Sequence, residues 1–239
     1  YAPRALHSAI SAAKSRLIGP NDYAQRVSSY FEEIVHRIYQ RYQQLLSQGR
    51  AVDFDDLLMK TVQLFQDQPQ ILNSYQSKYV HILVDEFQDT NIVQYMLMKQ
   101  LAGKYRNLCV VGDPDQSIYS WRFADLRNIL SFEQDYPEAK VVFLEQNYRS
   151  TQNILKAAGA VVKHNIHRIG KTLWTENLAG EKVLFYQSLD SIEEANFVIA
   201  QLLALGSLYK THQIAILYRT NAQSRLFEEV LARQGIPYI

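Results

Sequence analysis

Cysteine is nearly absent, with one residue, Cys109, in 239. A disulfide framework is excluded. Because Cys109 lies within the apolar stretch Leu108–Val111, it reads as a small core side chain in a reducing compartment rather than a reactive thiol. Long hydrophobic runs are also missing. No stretch approaches the roughly 20 apolar residues of a membrane helix, and the start, YAPRALHSAI, lacks the features of a signal peptide. The expected setting is soluble and cytoplasmic, without a membrane partner. Nor is there an excess of one charge: 25 Lys and Arg face 24 Asp and Glu, a net +1, so bulk electrostatics does not announce nucleic acid. Residues 1–52 hold seven Lys or Arg against three acids, a net +4, which leaves −3 for the remainder. A basic helical face of this kind is ordinarily just solvated. Finally, no GxxxxGK phosphate loop closed by Ser or Thr occurs anywhere. Gly170-Lys171-Thr172 imitates its end, but the position five before Gly170 is Asn165 and the preceding segment reads as helix, so it is assigned to a connecting loop.

With 47% hydrophobic residues, the chain can bury a sizeable core in one large domain or two smaller ones. Apolar residues recur at three- and four-residue steps from Tyr23 to Leu46, which predicts a long amphipathic helix over 22–48, ended by Gly49. Asp53–Gln66 predicts a second helix with acids in its first turn. Strands and helices then alternate. Val80–Val84, Leu108–Val111, Val141–Leu144, Val183–Tyr186 and Ile214–Tyr218 read as strands. Helices are expected from Asn91 to Ala102, Asp125 to Gln134, Thr151 to Lys163, from a Ser191 cap with Glu194, and from Ala222 to Gln234. No internal repeat or low-complexity segment is present. The pattern is α/β with an all-helical segment in front.

Three stretches at strand ends carry chemistry. The first strand runs into Asp85 and Glu86, where one acid can hold a Mg²⁺ carrying nucleotide phosphates and the other can orient an attacking water. Such a pair is as readily the cap and first turn of a helix. The second strand leads into GDPDQSIYSWR. If it lies parallel to the first, the loop reaches the same rim. There Gln116 can sense a terminal phosphate, and Tyr119, Trp121 and Arg122 offer aromatic faces and a fork of donors suited to single-stranded nucleic acid. The plainer alternative is that the two rings are core and the Arg is solvated. After the third strand, EQNYRS presents Arg149 where a finger neutralising phosphoryl-transfer charge would sit, although a lone Arg at a strand end usually has no such role. His164 and His167 are three apart, but no third ligand is in sight, and they read as surface histidines.

VDEFQDTN, GDPDQSIYSWR and LEQNYRST, in this order, resemble the second, third and fourth motifs of the UvrD/Rep-like superfamily 1 DNA helicases. SFEQDYPEAK, KTLWTEN and LYRTNAQSR extend the likeness along the chain. The resemblance implies a P-loop NTPase with RecA-like parallel sheets flanked by helices. Residues 1–52 would be a helical insertion of the first motor domain, 53–141 the C-terminal part of that RecA-like domain, and 142–239 the N-terminal part of the second. It implies that Asp85 helps hold Mg²⁺, Glu86 activates water against ATP, and Gln116 contacts the terminal phosphate. Tyr148 would pack on adenine and Arg149 reach that phosphate. Tyr119 and Trp121 would stack on unpaired bases, Arg122 would contact the strand's backbone, and Arg219 and Asn221 would add single-strand contacts. The implied activity is ATP-driven 3′ to 5′ movement on single-stranded DNA and unwinding at junctions with duplex, beside repair or replication proteins.

The chain departs from the family pattern at Phe123, where a Gly is usual, and in lacking the phosphate loop. It is therefore expected to be an internal stretch of a helicase, with absent or very weak ATP turnover by itself. Two other readings fit the same residues: the motor part of a helicase-nuclease, and a non-enzymatic module that binds single-stranded DNA or docks a partner.

Overall fold

The computed structural model describes residues 1–166 and 170–239, so His167 of the histidine pair lies outside the described residues. The chain divides into two compact units, one of residues 1–150 and 155–177, the other of residues 151–154 and 178–239.

The first unit opens with five helices, α1 (Pro3–Lys14), α2 (Pro20–Ala24), α3 (Tyr30–Gln48), α4 (Phe54–Asp67) and α5 (Pro69–Lys78). The continuous helix expected over 22–48 is thus two, broken at residues 25–29. Ser29 caps α3 by accepting the Glu32 N–H at 3.3 Å, while the Glu32 carboxylate accepts from the Ser28 N–H at 2.8 Å. These bonds start a new helix at Tyr30, although the apolar periodicity runs across the break. Asp53 caps α4 by accepting the Asp56 N–H at 2.7 Å, and Gly49 closes α3. Ile10, Ala13, Ile18, Val35 and Tyr39 form the core of this helical part.

Lys14 is buried beside that core. Its Nζ lies 2.6 Å from Asp53 Oδ2 and 3.0 Å from Asp56 Oδ1. Tyr42 Oη donates to Asp53 at 2.9 Å and Gln43 Nε2 to Asp56 at 2.8 Å. Burial opposes ionisation of Asp53, but the hydrogen bonds from Lys14, the Asp56 N–H and Tyr42 prevail and hold it below the usual carboxylate range. Burial and the bond to Asp53 push the Tyr42 phenol up to about 12.

Two strands follow, β1 (Ile82–Val84) and β2 (Leu108–Val110), joined by α6 (Ile92–Ala102). They pair in parallel with Ile82 opposite Leu108, Leu83 opposite Cys109 and Val84 opposite Val110. Asn91 and Gln94 cap α6 reciprocally, as their spacing predicts. Beneath the sheet, Ile82, Val84, Leu108 and Val110 pack on Phe87, Met98 and Tyr136. The other face is open: Leu83 is 77% exposed, and Cys109, read from the sequence as core, is exposed too. A parallel sheet normally buries both faces. Here alternation along each strand puts Leu83 and Cys109 on the face that no described residue covers.

The region expected as one helix over 125–134 is two short ones, α7 (Arg127–Leu130) and α8 (Phe132–Asp135), followed by α9 (Gln152–Val162). Val141–Leu144 is not a strand. Among the described residues its neighbourhood holds one isolated parallel bridge, Gln146 with Trp174.

The second unit contains α10 (Ser191–Leu205) and α11 (Asn221–Arg233), whose buried faces bring together Ala195, Ile199, Val230 and Leu231. α10 is capped by Asp190, which accepts the Glu193 N–H at 2.7 Å, one residue ahead of the expected Ser191–Glu194 pair. Val183–Tyr186 and Ile214–Tyr218 are not strands among the described residues. A strand exists only where another chain segment completes its ladder, and none does so here. No helix of the described residues is long and apolar enough to cross a membrane.

Candidate functional site

The ends of β1 and β2 are adjacent, as parallel pairing requires. The Val111 N–H donates to Val84 O at 2.8 Å and the Phe87 N–H to Val111 O at 2.9 Å, so pairing continues past both strands into the loops that follow. Asp85 and Glu86 are exposed on the first loop. Asp85 Oδ1 accepts the Glu86 N–H at 2.9 Å. Glu86 adopts the left-handed region, φ 50° and ψ 41°, turning the chain sharply into a short 3₁₀ turn, Phe87–Asp89. A non-glycine residue held there stores strain of about 1–3 kcal/mol, a cost often met at functional positions.

Gln116, on the second loop, donates through Nε2 to Asp113 Oδ2 at 2.8 Å. Asp113 Oδ1 pairs with Lys171. Burial favours the neutral acid, yet the bonds from Lys171, Gln116 and the Asp115 N–H hold the Asp113 carboxyl below its usual range. The second loop is joined to the first by Gln88, a residue outside the sequence-based assignment. Gln88 Nε2 donates to Glu86 Oε2 at 2.8 Å and its Oε1 accepts the Asp113 N–H at 2.9 Å.

Tyr119, Trp121 and Arg122 form an exposed cluster. Their rings are 6.0 Å apart at 48°, and the Arg122 guanidinium lies 4.7 Å from the Trp121 ring and 5.4 Å from that of Tyr119. With Trp121 59% exposed, the core-packing alternative does not hold for this ring. Phe123 follows in the left-handed region at φ 65°. That conformation suits glycine, which explains why Phe stands out there, since its Cβ is crowded by the adjoining backbone.

Tyr148 is 79% exposed, its Oη donating to Gln146 at 2.8 Å. The Arg149 N–H donates to Asn147 Oδ1 at 3.0 Å and the Arg149 side chain is exposed. The segment after α9 links this rim to the previous one: Lys171 pairs with Asp113, and the Thr172 N–H donates to Glu145 Oε1 at 3.1 Å. Gly170-Lys171-Thr172 is thus a connecting loop that joins the loop after β2 to the segment at Glu145, a placement its sequence did not reveal. Arg219 and Asn221 belong to the second unit, at the start of α11 where Thr220 and Gln223 form a capping box. Among the described residues, no group of three or more His, Cys, Asp or Glu side chains is arranged to hold a metal ion.

Comparison with known proteins gives two family matches, UvrD/REP helicase N-terminal domain over residues 2–137 and UvrD-like helicase C-terminal domain over residues 142–239. The chain is 51% identical over all 239 residues to the ATP-dependent DNA helicase PcrA of Staphylococcus epidermidis, strain ATCC 12228. It is equally similar, at 51%, to the protein of the same name from Staphylococcus aureus, strain NCTC 8325. It spans 33% of the length of each of these relatives. Helices around a parallel strand pair fit the α/β, P-loop NTPase-like class of these helicase domains. The three ordered motifs, the placement of the first two at adjacent strand ends and matches over most of the sequence lead to one conclusion: this chain belongs to the UvrD/REP helicase family.

Proposed function

We propose that the chain is the motor part of an ATP-dependent DNA helicase that moves 3′ to 5′ on single-stranded DNA and unwinds duplex at junctions, in the cytoplasm and alongside repair or replication proteins. The observation that carries this reading is the hydrogen-bonded link from Glu86 to Gln116, with the exposed Tyr119–Trp121–Arg122 cluster on the same loop as Gln116. A phosphate-sensing amide and a ledge for bases on one short loop couple hydrolysis to grip on DNA. The proposal includes RecA-like domains, with 1–52 a helical insertion, 53–141 the C-terminal part of the first and 142–239 the N-terminal part of the second.

Phosphoryl transfer needs positioning and charge neutralisation more than covalent help from the protein. Glu86 would orient the water attacking the terminal phosphate, and Gln116 would contact that phosphate. Arg149 would offset charge on its oxygens, and Tyr148 would pack on adenine. Mg²⁺ at nucleotide sites takes one or two carboxylates and fills its remaining positions with water and phosphate. Asp85, exposed and with one oxygen engaged by the Glu86 N–H, fits that demand. When bound, the ion would neutralise phosphate charge. Tyr119 and Trp121 would stack on bases, with Arg122, Arg219 and Asn221 contacting the strand.

The test is Glu86→Gln in the full-length protein, measured by single-strand-stimulated ATP hydrolysis and by ATP binding. Turnover should vanish while ATP affinity persists. Wild-type turnover in this variant refutes the assignment. Oligonucleotide affinity that ignores nucleotide and survives both Glu86→Gln and Arg149→Ala would instead indicate a single-strand-binding module.

A further inference from the structure

Gln88 is 1% exposed, and both ends of its carboxamide are used. Its Nε2 meets the Glu86 carboxylate and its Oε1 meets the Asp113 N–H, so exactly one amide orientation satisfies both, because a carboxylate only accepts and an N–H only donates. Asp113 in turn accepts from Gln116, and Ser117 Oγ donates to the Gln88 backbone oxygen at 3.5 Å. A single chain of hydrogen bonds therefore runs from the Glu86 carboxylate through Gln88 and Asp113 to the Gln116 carboxamide.

Gly112 makes room for it. A Cβ there would lie 2.7 Å from Gln88 Oε1, 3.0 Å from Ile129 Cδ1 and 3.2 Å from the Phe87 nitrogen, so any larger residue forces the buried amide to shift from the second strand end. Glu86, meanwhile, holds a left-handed backbone that persists only where its surroundings determine it, and the Gln88 bond restrains its side chain in that conformation.

We propose that Gln88 is a positioning residue for ATP hydrolysis. It aims Glu86 at the attacking water and ties that aim to the loop bearing Gln116, so that terminal-phosphate contact and water activation are set together. This rests on the functional reading above. The groups that touch substrate remain Glu86 and Gln116; Gln88 acts through them.

The experiment uses the full-length protein with ATP and oligo(dT). Gln88→Met removes both bonds at similar volume. Gln88→Glu keeps an acceptor for the Asp113 N–H but faces Glu86 with a like charge. Gly112→Ala displaces the amide without altering it. In all three, kcat should fall at least tenfold, KM for ATP should stay within twofold, and the ratio of stimulated to unstimulated turnover should drop. Should Gln88→Met fail to fold, as judged by its melting transition, the other two variants decide. Wild-type kcat and stimulation in folded variants, with Glu86→Gln inactive, overturn the inference and leave the functional reading standing. A raised KM with unchanged kcat also overturns it, and an active Glu86→Gln refutes the functional reading itself.

Discussion

Replacing Trp121 with Ala separates a DNA-binding ledge from an ordinary surface ring. Trp121 is 59% exposed, and its ring contacts are a tilted pair with Tyr119 at 6.0 Å and the Arg122 guanidinium at 4.7 Å. An aromatic pair contributes about 0.5–1.5 kcal/mol and an exposed cation–π contact about 0.5–1, so losing both should cost folding no more than about 2.5 kcal/mol. A base stacked on the same ring contributes about 1–3 kcal/mol. At about 1.4 kcal/mol per tenfold, single-strand affinity should fall by about 5- to 150-fold. Fluorescence anisotropy of labelled oligo(dT) with the full-length protein reads this loss, and ATP affinity measured in parallel should stay within twofold. Arg122→Ala adds a control on mechanism. Loss of one phosphate contact should lower the slope of log affinity against log salt by about 0.7, whereas Trp121→Ala should leave that slope unchanged. Unaltered oligo(dT) affinity in Trp121→Ala would refute the stacking role.

Two further outcomes concern stability. Lys14→Met removes the buried cation that lies between the part-exposed Asp53 and the buried Asp56, and taking the nearest cation from a buried carboxylate should cost about 3–5 kcal/mol in urea unfolding; a loss under about 1 kcal/mol would mean that the remaining donors and Lys60 make up for it. Asp53 and Asp113 both ionise more readily in the folded chain than their ordinary value of about 3.9, so their stabilisation is complete above that pH and is lost as pH falls through the lowered folded values. The urea midpoint should therefore hold from pH 8 to about 5 and decline below about 4, and Lys171→Met should reduce the decline, because Asp113 then loses the partner that keeps it ionised.

Features set by neighbouring residues were legible in the sequence. Asn91 caps α6 through a bond to backbone three residues on and Gly49 ends α3, both where expected, while Asp53, expected as the first residue of its helix, stands one position before it as the cap. The Ser29–Glu32 cap was equally local, yet the regular apolar spacing from Tyr23 to Leu46 masked it, because periodicity reports one face of a helix and not its continuity. The aromatic pair was legible as chemistry but not as exposure. Whether Trp121 faces solvent or core depends on what other segments cover it.

Chain order alone determined the helical front, the strand segments Ile82–Val84 and Leu108–Val110, and the acids Asp85 and Glu86 that follow the first of them, since each follows from spacings of a few residues; that the two strands pair in parallel was a condition the sequence left open. Tertiary structure decided the rest. Leu83 and Cys109 are exposed because a strand's two faces are buried by different partners, and only one partner is present among the described residues. Val141–Leu144, Val183–Tyr186 and Ile214–Tyr218 form no ladder, since β pairing is a contact between distant segments and composition supplies only half of it. Gln88 and Lys171 gained their places at the strand ends in the same way, through contacts to residues 25 and 58 positions away that no local pattern encodes.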